Sequence, residues 1–289
     1  MPIRHEPIPL LNNRKALAEW REAQRRPVHF VPTMGNLHAG HLALVQHAAR
    51  NGAVIASIFV NPAQFGPDED YEQYPRTLIE DLEALASAGC DAVWAPDFET
   101  MYPLSAANRF TVRPPPALAN CLCGAHRPRH FDGVCNVVMR LFWQIQPQRA
   151  VFGEKDYQQL LILRKLVADF SIPLAIDAVP TVRESDGLAM SSRNRYLDEA
   201  ERALAPALHR TLAALAEAAS TQVPGTFDRL CRSAVEHLDA IGFRTEYVEF
   251  RNAETLDAAD GTNDRVFAAA RLGSARLIDN VVVSRQICL

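Results

Sequence analysis

The chain has 289 residues, a formal net charge of -4 and a pI of about 6.1, with 48% hydrophobic and 22% charged residues. That balance suits a globular protein with a sizeable core, in one large or two ordinary domains. It excludes a nucleic-acid binder acting through bulk charge, because phosphate backbones reward a strongly basic face, but it leaves room for a local basic pocket.

In chain order, the N-terminal MPIRHEPIPLLNNRK has neither an apolar signal core nor a small-residue cleavage site. Residues 14–25 carry apolar residues at helical spacing. VHFVPT (28–33) reads as a buried strand, HLALVQHAAR (41–50) as a helix stopped by Asn51-Gly52, and AVIASIFVN (53–61) as a second buried strand. Strand, helix and strand within about 35 residues make a βαβ unit and predict a parallel sheet. The alternation continues with a helix over 76–89, a strand over 91–96, a helix over 133–146, a strand over 149–153, a helix over 156–170 and a strand over 173–182. This is the pattern of a doubly wound α/β domain, whose ligands bind at the carboxyl ends of the strands.

The character changes after about residue 182. An alanine-rich helix over 198–220 is kinked or broken near Pro206, QVPGT (222–226) reads as a linker, and a helix over 227–241 precedes strands around 245–250, 265–272 and 275–283. The expected organisation is an α/β domain over 1–181 and a smaller α+β domain over 182–289. No apolar run reaches the length of about 18 residues that a membrane span needs. The six cysteines stand at 90, 121, 123, 135, 231 and 288; only Cys121 and Cys123 are close, and no second pair completes a zinc site. Reduced thiols and a cytoplasmic location are the expectation.

The chemistry-bearing residues gather where strands end. PTMGNLHAGH places His38 and His41 around Gly40 at the mouth of a helix, three residues apart and so on one face. A helix N-terminus offers unpaired N–H groups and partial positive charge, and Gly35 and Gly40 allow close backbone approach. That set suits a nucleotide phosphate; the alternative is a pair of surface histidines. His47 falls on another face and reads as an ordinary surface residue. At the next strand end, Asn61 and Gln64 supply neutral donors and acceptors that can read a hydroxyl and a carboxylate, or serve turn chemistry. Asp81, on the following helix, is a candidate Mg²⁺ ligand. FGEKDYQQ (152–159) places Lys155 to neutralise charge on a phosphate, with Gln158 and Gln159 on the first helical turn. MSSRNRYL (190–197) adds two hydroxyls and the forked guanidinium of Arg193 at the domain junction. Neither a Ser-His-Asp arrangement nor a GxxxxGK[ST] loop is present, which favours catalysis by positioning and charge over a protein nucleophile.

Taken together, PTMGNLHAGH, FVNPAQF with EDYEQYPRT, HFDGV, FGEKDYQQL, DGLAMSSRN and RLIDN resemble the pantoate–β-alanine ligase (pantothenate synthetase) family over nearly the whole chain. The resemblance implies a Rossmann-like nucleotidyltransferase domain with a smaller C-terminal lid. It implies adenylation of pantoate by ATP, then attack by β-alanine on pantoyl adenylate to give pantothenate and AMP. It places Met34, Gly35, Asn36, Leu37, His38, Ala39, Gly40 and His41 at the ATP site, with Gly153, Glu154, Lys155 and Asp156, and with Val182, Met190, Ser191, Ser192 and Arg193. His41 would be the proton donor, His38, Lys155 and Arg193 would meet phosphate charge, Gln64 and Gln159 would hold pantoate, and Gln64 would also touch β-alanine. Mg²⁺ is implied with ATP, and a homodimer is usual in the family.

Two positions depart from the family's RPGHFxGV pattern and the threonine that follows it. Here RPRHFDGVCN puts Arg129 in the glycine position and Asn136 in the threonine position, while Arg127 still matches the family's arginine and is expected near phosphate. The rival readings are another HxGH-type nucleotidyltransferase acting on a different small carboxylate or phosphate acceptor, and a non-catalytic nucleotide-binding descendant. Neutral Gln64 and Gln159 count against a phosphorylated acceptor. The presence of His41, Lys155 and Arg193 counts against loss of catalysis.

Overall fold

The computed structural model describes residues 8–67 and 69–285. Cys288 and the first seven residues, included above in the readings of the thiols and the N-terminus, lie outside the described residues. The chain divides into two compact units: 1–114 with 128–154 and 162–180, and 115–127 with 155–161 and 181–289. The second unit thus draws in two earlier segments that a single cut after residue 181 leaves out.

In chain order the elements are β1 (Leu10–Leu11), α1 (Arg14–Glu22), β2 (Val28–Thr33), α2 (Ala39–Ala48), β3 (Ala53–Ile58), α3 (Leu78–Ala88), β4 (Ala92–Trp94) and α4 (Phe98–Met101). There follow α5 (Pro116–Ala119), α6 (Leu122–His126), α7 (His130–Ile145), β5 (Arg149–Gly153), α8 (Tyr157–Asp169) and β6 (Ala175–Val179). The chain ends with α9 (Glu199–Leu204), α10 (Ala207–Ser220), α11 (Phe227–Ala240), β7 (Arg244–Asn252), β8 (Asp264–Leu272) and β9 (Ala275–Val282).

The first unit is built on a six-stranded sheet in the order β1-β4-β3-β2-β5-β6, with every pair parallel. β2 and β3 are buried almost without interruption, as strands covered on both faces must be. Val31, Val45, Val54, Leu85, Val93 and Val151 belong to the core between the sheet and its helices. The sheet grows from β2 in two directions, through β3 and β4 on one side and β5 and β6 on the other. The strand order therefore reverses between β2 and β5, and a doubly wound sheet opens its ligand crevice at that point, beyond the carboxyl ends.

α7 starts at His130, three residues ahead of the expected start at 133. Gly133 does not open this helix; it lies inside the first turn, where a Cβ would come within 2.2 Å of the Ala63 carbonyl oxygen. That contact seats α7 directly on the turn Pro62–Gln64. The residue before α7, Arg129, holds φ +67 and ψ 3, in the left-handed region where a side chain is strained and glycine is not. Asn136 bridges α7 to the preceding loop: its Nδ2 donates to the Val112 carbonyl at 2.8 Å and its Oδ1 accepts from the Val112 N–H at 3.1 Å.

The second unit carries an antiparallel sheet in the order β7-β8-β9. Central β8 is buried along nearly its whole length. Leu208 and Leu212 of α10 and Leu238 of α11 share a core with Val266, Ala268 and Leu277 of the sheet. The alanine-rich helix does break at Pro206, into α9 and α10. Asp198 and Glu201 close a reciprocal capping box at the start of α9.

The strain at residue 129 gives a test. Arg129→Gly relieves the left-handed side chain at some cost in unfolded-state entropy, for a net gain of about 0.5–1 kcal/mol in chemical denaturation. An unchanged or lower unfolding free energy would show that the side chain compensates for its backbone.

Candidate active site

In the first unit the site is built by the loop that joins β2 to α2. Leaving β2, the chain turns through consecutive left-handed residues, Gly35 at φ +80 and Asn36 at φ +51. The turn is anchored from α3. Asp81 is 3% exposed; its Oδ2 accepts the Asn36 N–H at 2.9 Å and its Oδ1 accepts the Leu37 N–H at 2.8 Å. The Thr77 hydroxyl donates to Oδ2 at 3.1 Å. A Cβ at Gly35 would meet the same Oδ2 at 2.9 Å, so carboxylate and glycine fit each other. Asp81, the candidate Mg²⁺ ligand, anchors this loop, each of its oxygens accepting at least one hydrogen bond. No group of three His, Cys, Asp or Glu side chains suited to a metal occurs among the described residues.

The anchored turn delivers His38 as the N-cap of α2. Its Nδ1 accepts the Gly40 N–H at 3.1 Å, and His41 Nδ1 reaches back to the His38 N–H at 3.4 Å, completing a capping box built from histidines. The rings stack with centroids 4.0 Å apart and an interplanar angle of 28°. With both Nδ1 atoms acting as acceptors, each neutral ring carries its proton on Nε2. Each imidazole is thereby held as an Nε2–H donor at a positive helix end. Among their neighbours, Met34, Leu37 and Gly40 are half-buried and Ala39 is exposed.

Gln64 stands at the end of the turn that follows β3. Its Oε1 accepts from Asn61 Nδ2 at 3.1 Å, its Nε2 lies 3.1 Å from Met34 Sδ, and its backbone carbonyl lies 2.7 Å from His130 Nδ1. Asn61 is 1% exposed and also bonds the Gly133 carbonyl and the Tyr102 hydroxyl. The HFDGV stretch thus positions Gln64, with His130 holding its carbonyl and Gly133 letting α7 close on its backbone. Asn61, weighed above as a ligand reader, holds the turn together. At the switch point, β5 ends in Gly153 and passes into Glu154, both half-buried. His47, expected as a plain surface residue, is half-buried with Nε2 3.4 Å from Asp177 Oδ2.

In the second unit, Lys155 and Asp156 belong to a 3₁₀ turn leading into α8, with Lys155 Nζ 3.7 Å from Asp156 Oδ2. Gln158 is 5% exposed and fully engaged: Oε1 accepts the Cys123 N–H at 3.0 Å, and Nε2 donates to the Leu118 and Cys121 carbonyls. It tethers the segment of α5 and α6, whereas Gln159 beside it is half-buried. Val182 and Met190 pair across a hairpin, the Met190 N–H donating to the Val182 carbonyl at 3.0 Å. Beyond Met190, Ser191 caps the 3₁₀ turn Ser192–Tyr196 by accepting the Arg193 N–H on its Oγ. The hydroxyls and Arg193 are thus presented on a short, capped turn. Cys90, Cys121, Cys123, Cys135 and Cys231 are free, and burial pushes Cys90 and Cys135 up to about 12.

This arrangement can be set beside known proteins. The sequence profile of pantoate-beta-alanine ligase matches residues 10–282. A pantothenate synthetase of Thiobacillus denitrificans is 55% identical over 258 residues, covering 88% of this chain and 90% of that protein. One from Pseudomonas entomophila is 52% identical over 274 residues, covering 93% of each. Among solved structures, the pantothenate synthetase of Thermus thermophilus superposes with a TM-score of 0.88 at 46% identity, covering 96% of this chain and 99% of that one. The Francisella tularensis pantoate-beta-alanine ligase, solved as a complex with beta-gamma ATP and beta-alanine, does so with a TM-score of 0.79 at 33% identity, covering 96% and 98%. With the histidine cap, the switch-point loops and the serine–arginine turn in place along one chain, these matches over almost its full length show that the chain belongs to the pantoate-beta-alanine ligase family.

Proposed function

We propose that this chain condenses pantoate with β-alanine in two steps, of which the first consumes ATP. In the first, a pantoate carboxylate oxygen attacks the α-phosphorus of ATP, the bond from that phosphorus to the bridging oxygen breaks, and pyrophosphate leaves. In the second, the β-alanine amine attacks the acyl carbon of pantoyl adenylate, the acyl C–O bond breaks, AMP departs with the oxygen, and the new amide nitrogen loses its proton. The observation that carries this reading is the histidine cap of α2, two stacked Nε2–H donors at a helix N-terminus, in a member of this family.

His41 donates from Nε2 toward the oxygens on which charge develops. His38, Lys155 and Arg193 meet the remaining phosphate charge, together with the N–H groups of the α2 cap. Residues Met34–Leu37, Ala39, Gly40, Gly153, Glu154, Asp156, Val182, Met190, Ser191 and Ser192 complete the ATP contacts. Gln64 and Gln159 hold pantoate, and Gln64 also touches β-alanine. Neutral amides suit a carboxylate that must remain nucleophilic, because a tight arginine pair would withdraw its charge.

Mg²⁺ would come with the nucleotide, held chiefly by phosphate oxygens and water, which it favours over all-protein cages, and would neutralise charge developing on the triphosphate; Asp81, whose oxygens anchor the loop after β2, would be its candidate protein ligand. A homodimer is supported by apolar side chains exposed on the first unit, Phe110 at 96%, Trp143 at 66% and Leu104 at 55%, around a groove of about 520 Å³. Free thiols accord with a cytoplasmic location.

Three outcomes test these assignments. His41→Asn keeps an acceptor near the Nδ1 position and removes the Nε2 donor, so pantothenate formation falls about 10²-fold or more while the melting temperature holds. Full activity in the folded variant removes His41 from the chemistry. Asp81→Asn sets an amide against backbone N–H groups and destabilises the fold by about 1–3 kcal/mol. A tenfold rise in the half-saturating Mg²⁺ concentration would show Asp81 to be a metal ligand as well, and an unchanged one would leave it a loop anchor alone. In sedimentation, the wild type runs at twice the 32.1 kDa chain mass, and Trp143→Glu shifts it to one; a wild-type monomer refutes the dimer.

A further inference from the structure

The RLIDN stretch near the C-terminus was part of the resemblance but has no role in the chemistry above. In the structure it supplies Asp279 and Asn280 of β9, both buried at 4% exposure. Adjacent residues of a strand point to opposite faces, so these two reach into different surroundings. Each binds a segment of the second unit that the proposed mechanism uses.

Asp279 shares its face with Ala275 and Leu277, which belong to the core against α10. A carboxylate there is costly unless paired. It accepts the Arg183 fork, from Nη1 on Oδ2 at 2.7 Å and from Nη2 on Oδ1 at 2.9 Å. His209 Nδ1 also lies 3.2 Å from Oδ2. Burial by itself would raise the Asp279 carboxyl, yet His209 and Arg183 hold it below the usual carboxylate range, so it is anionic near neutrality. Arg183 stands in the first arm of the hairpin and also donates to the Gly187 carbonyl at 3.1 Å. Its backbone bridges to Ala189 in the second arm, which runs through Met190 into Ser191–Arg193.

On the other face, Asn280 Nδ2 donates to the Lys155 carbonyl at 2.9 Å. Asn280 Oδ1 accepts from Arg265, whose guanidinium lies 4.0 Å from the centre of the Tyr157 ring, two residues beyond Lys155. Lys155, Ser191, His209 and Asp279 also line one small cavity of about 10 Å³, room for about one water, so the two anchored segments meet there.

We propose that Asp279 and Asn280 are positioning residues for the phosphate grip: Asp279, through Arg183, fixes the hairpin that presents Ser191–Arg193, and Asn280 fixes the turn that presents Lys155. Buried ion pairs add little net stability, because desolvation offsets their attraction. Here the fork gives register to a loop that must meet phosphate oxygens closely. The proposal rests on the assignment of Lys155 and Ser191–Arg193 to ATP.

The test compares full-length variants by steady-state kinetics in each substrate and by thermal melting. Asn280→Asp keeps the size and the Arg265 contact but cannot donate to the Lys155 carbonyl. Its expected effect is a fall of about 10²-fold in kcat, with KM for β-alanine within about twofold of wild type. Asp279→Asn is expected to raise KM for ATP about tenfold. The double variant Asp279→Leu with Arg183→Met replaces the buried pair with apolar side chains, so it keeps the fold if the single variant does not, and it carries the same rise in KM for ATP. Lys155→Ala, run alongside, tests the underlying assignment. Wild-type kinetics in Lys155→Ala would remove that assignment and the proposal with it. A crippled Lys155→Ala beside Asn280 and Asp279 variants with wild-type kcat and KM for ATP would overturn the positioning role alone. So would losses that only follow the folded fraction and leave every KM unchanged.

Discussion

The first unit's share of the proposed chemistry depends on one carboxylate. Asp81 reaches from α3 to the loop after β2 and accepts the backbone N–H groups of Asn36 and Leu37. A loop that passes through two left-handed residues has little intrinsic preference for one path. Fixing two of its amides selects that path and sets the angle at which His38 enters α2. The histidine cap follows from that entry. His38 Nδ1 takes an orphan N–H of the helix, His41 Nδ1 takes the N–H of the cap, and both Nε2 atoms are left protonated. Helix capping, a local stabilising device in most proteins, here also sets the tautomer of the two imidazoles that the proposed function uses.

A similar economy holds elsewhere in the molecule. The glycine of HFDGV allows α7 to contact the Pro62–Gln64 turn, and the histidine of the same stretch takes the Gln64 carbonyl. Gln158 holds α5 and α6 while Gln159, its neighbour, is left for substrate in the proposed reading. His130 takes a backbone carbonyl of the turn that carries Gln64, and Gln158 takes backbone atoms of α5 and α6 from beside Gln159; in the proposed reading each of these tethers lies next to a glutamine that meets substrate. Transition-state charge is stabilised best by donors that need not move when the charge appears, and such anchoring provides that.

Much of this was legible in the sequence, for local reasons. Continuous apolar runs marked β2 and β3, helical periodicity marked α2 and α8, and Pro206 marked the break between α9 and α10. The motif loops stood at strand ends, where a doubly wound sheet binds ligands. What escaped was long-range. Asp81 meets its partners 44 and 45 residues away, Asn61 meets Tyr102 across 41, and Asp279 meets Arg183 across 96. No periodicity reports such pairs, so the anchoring contacts of Asp81 were not foreseen, and Asn61 stayed open between reading a ligand and holding the turn. The start of α7 was missed because Gly133 looks like a helix boundary until its close approach to Ala63 is known. Arg129 was visible as a departure, but only the backbone revealed its left-handed conformation.

The central claim is that the histidine cap serves adenylation of a carboxylate. Its most direct measurement is pantoate-dependent exchange of labelled pyrophosphate into ATP, with Mg²⁺ present and β-alanine absent. Exchange that requires pantoate is the predicted result, because the first step must run reversibly without the amine. Absence of exchange in folded protein that nonetheless forms pantothenate when β-alanine is added would contradict a free adenylate step and require a concerted route.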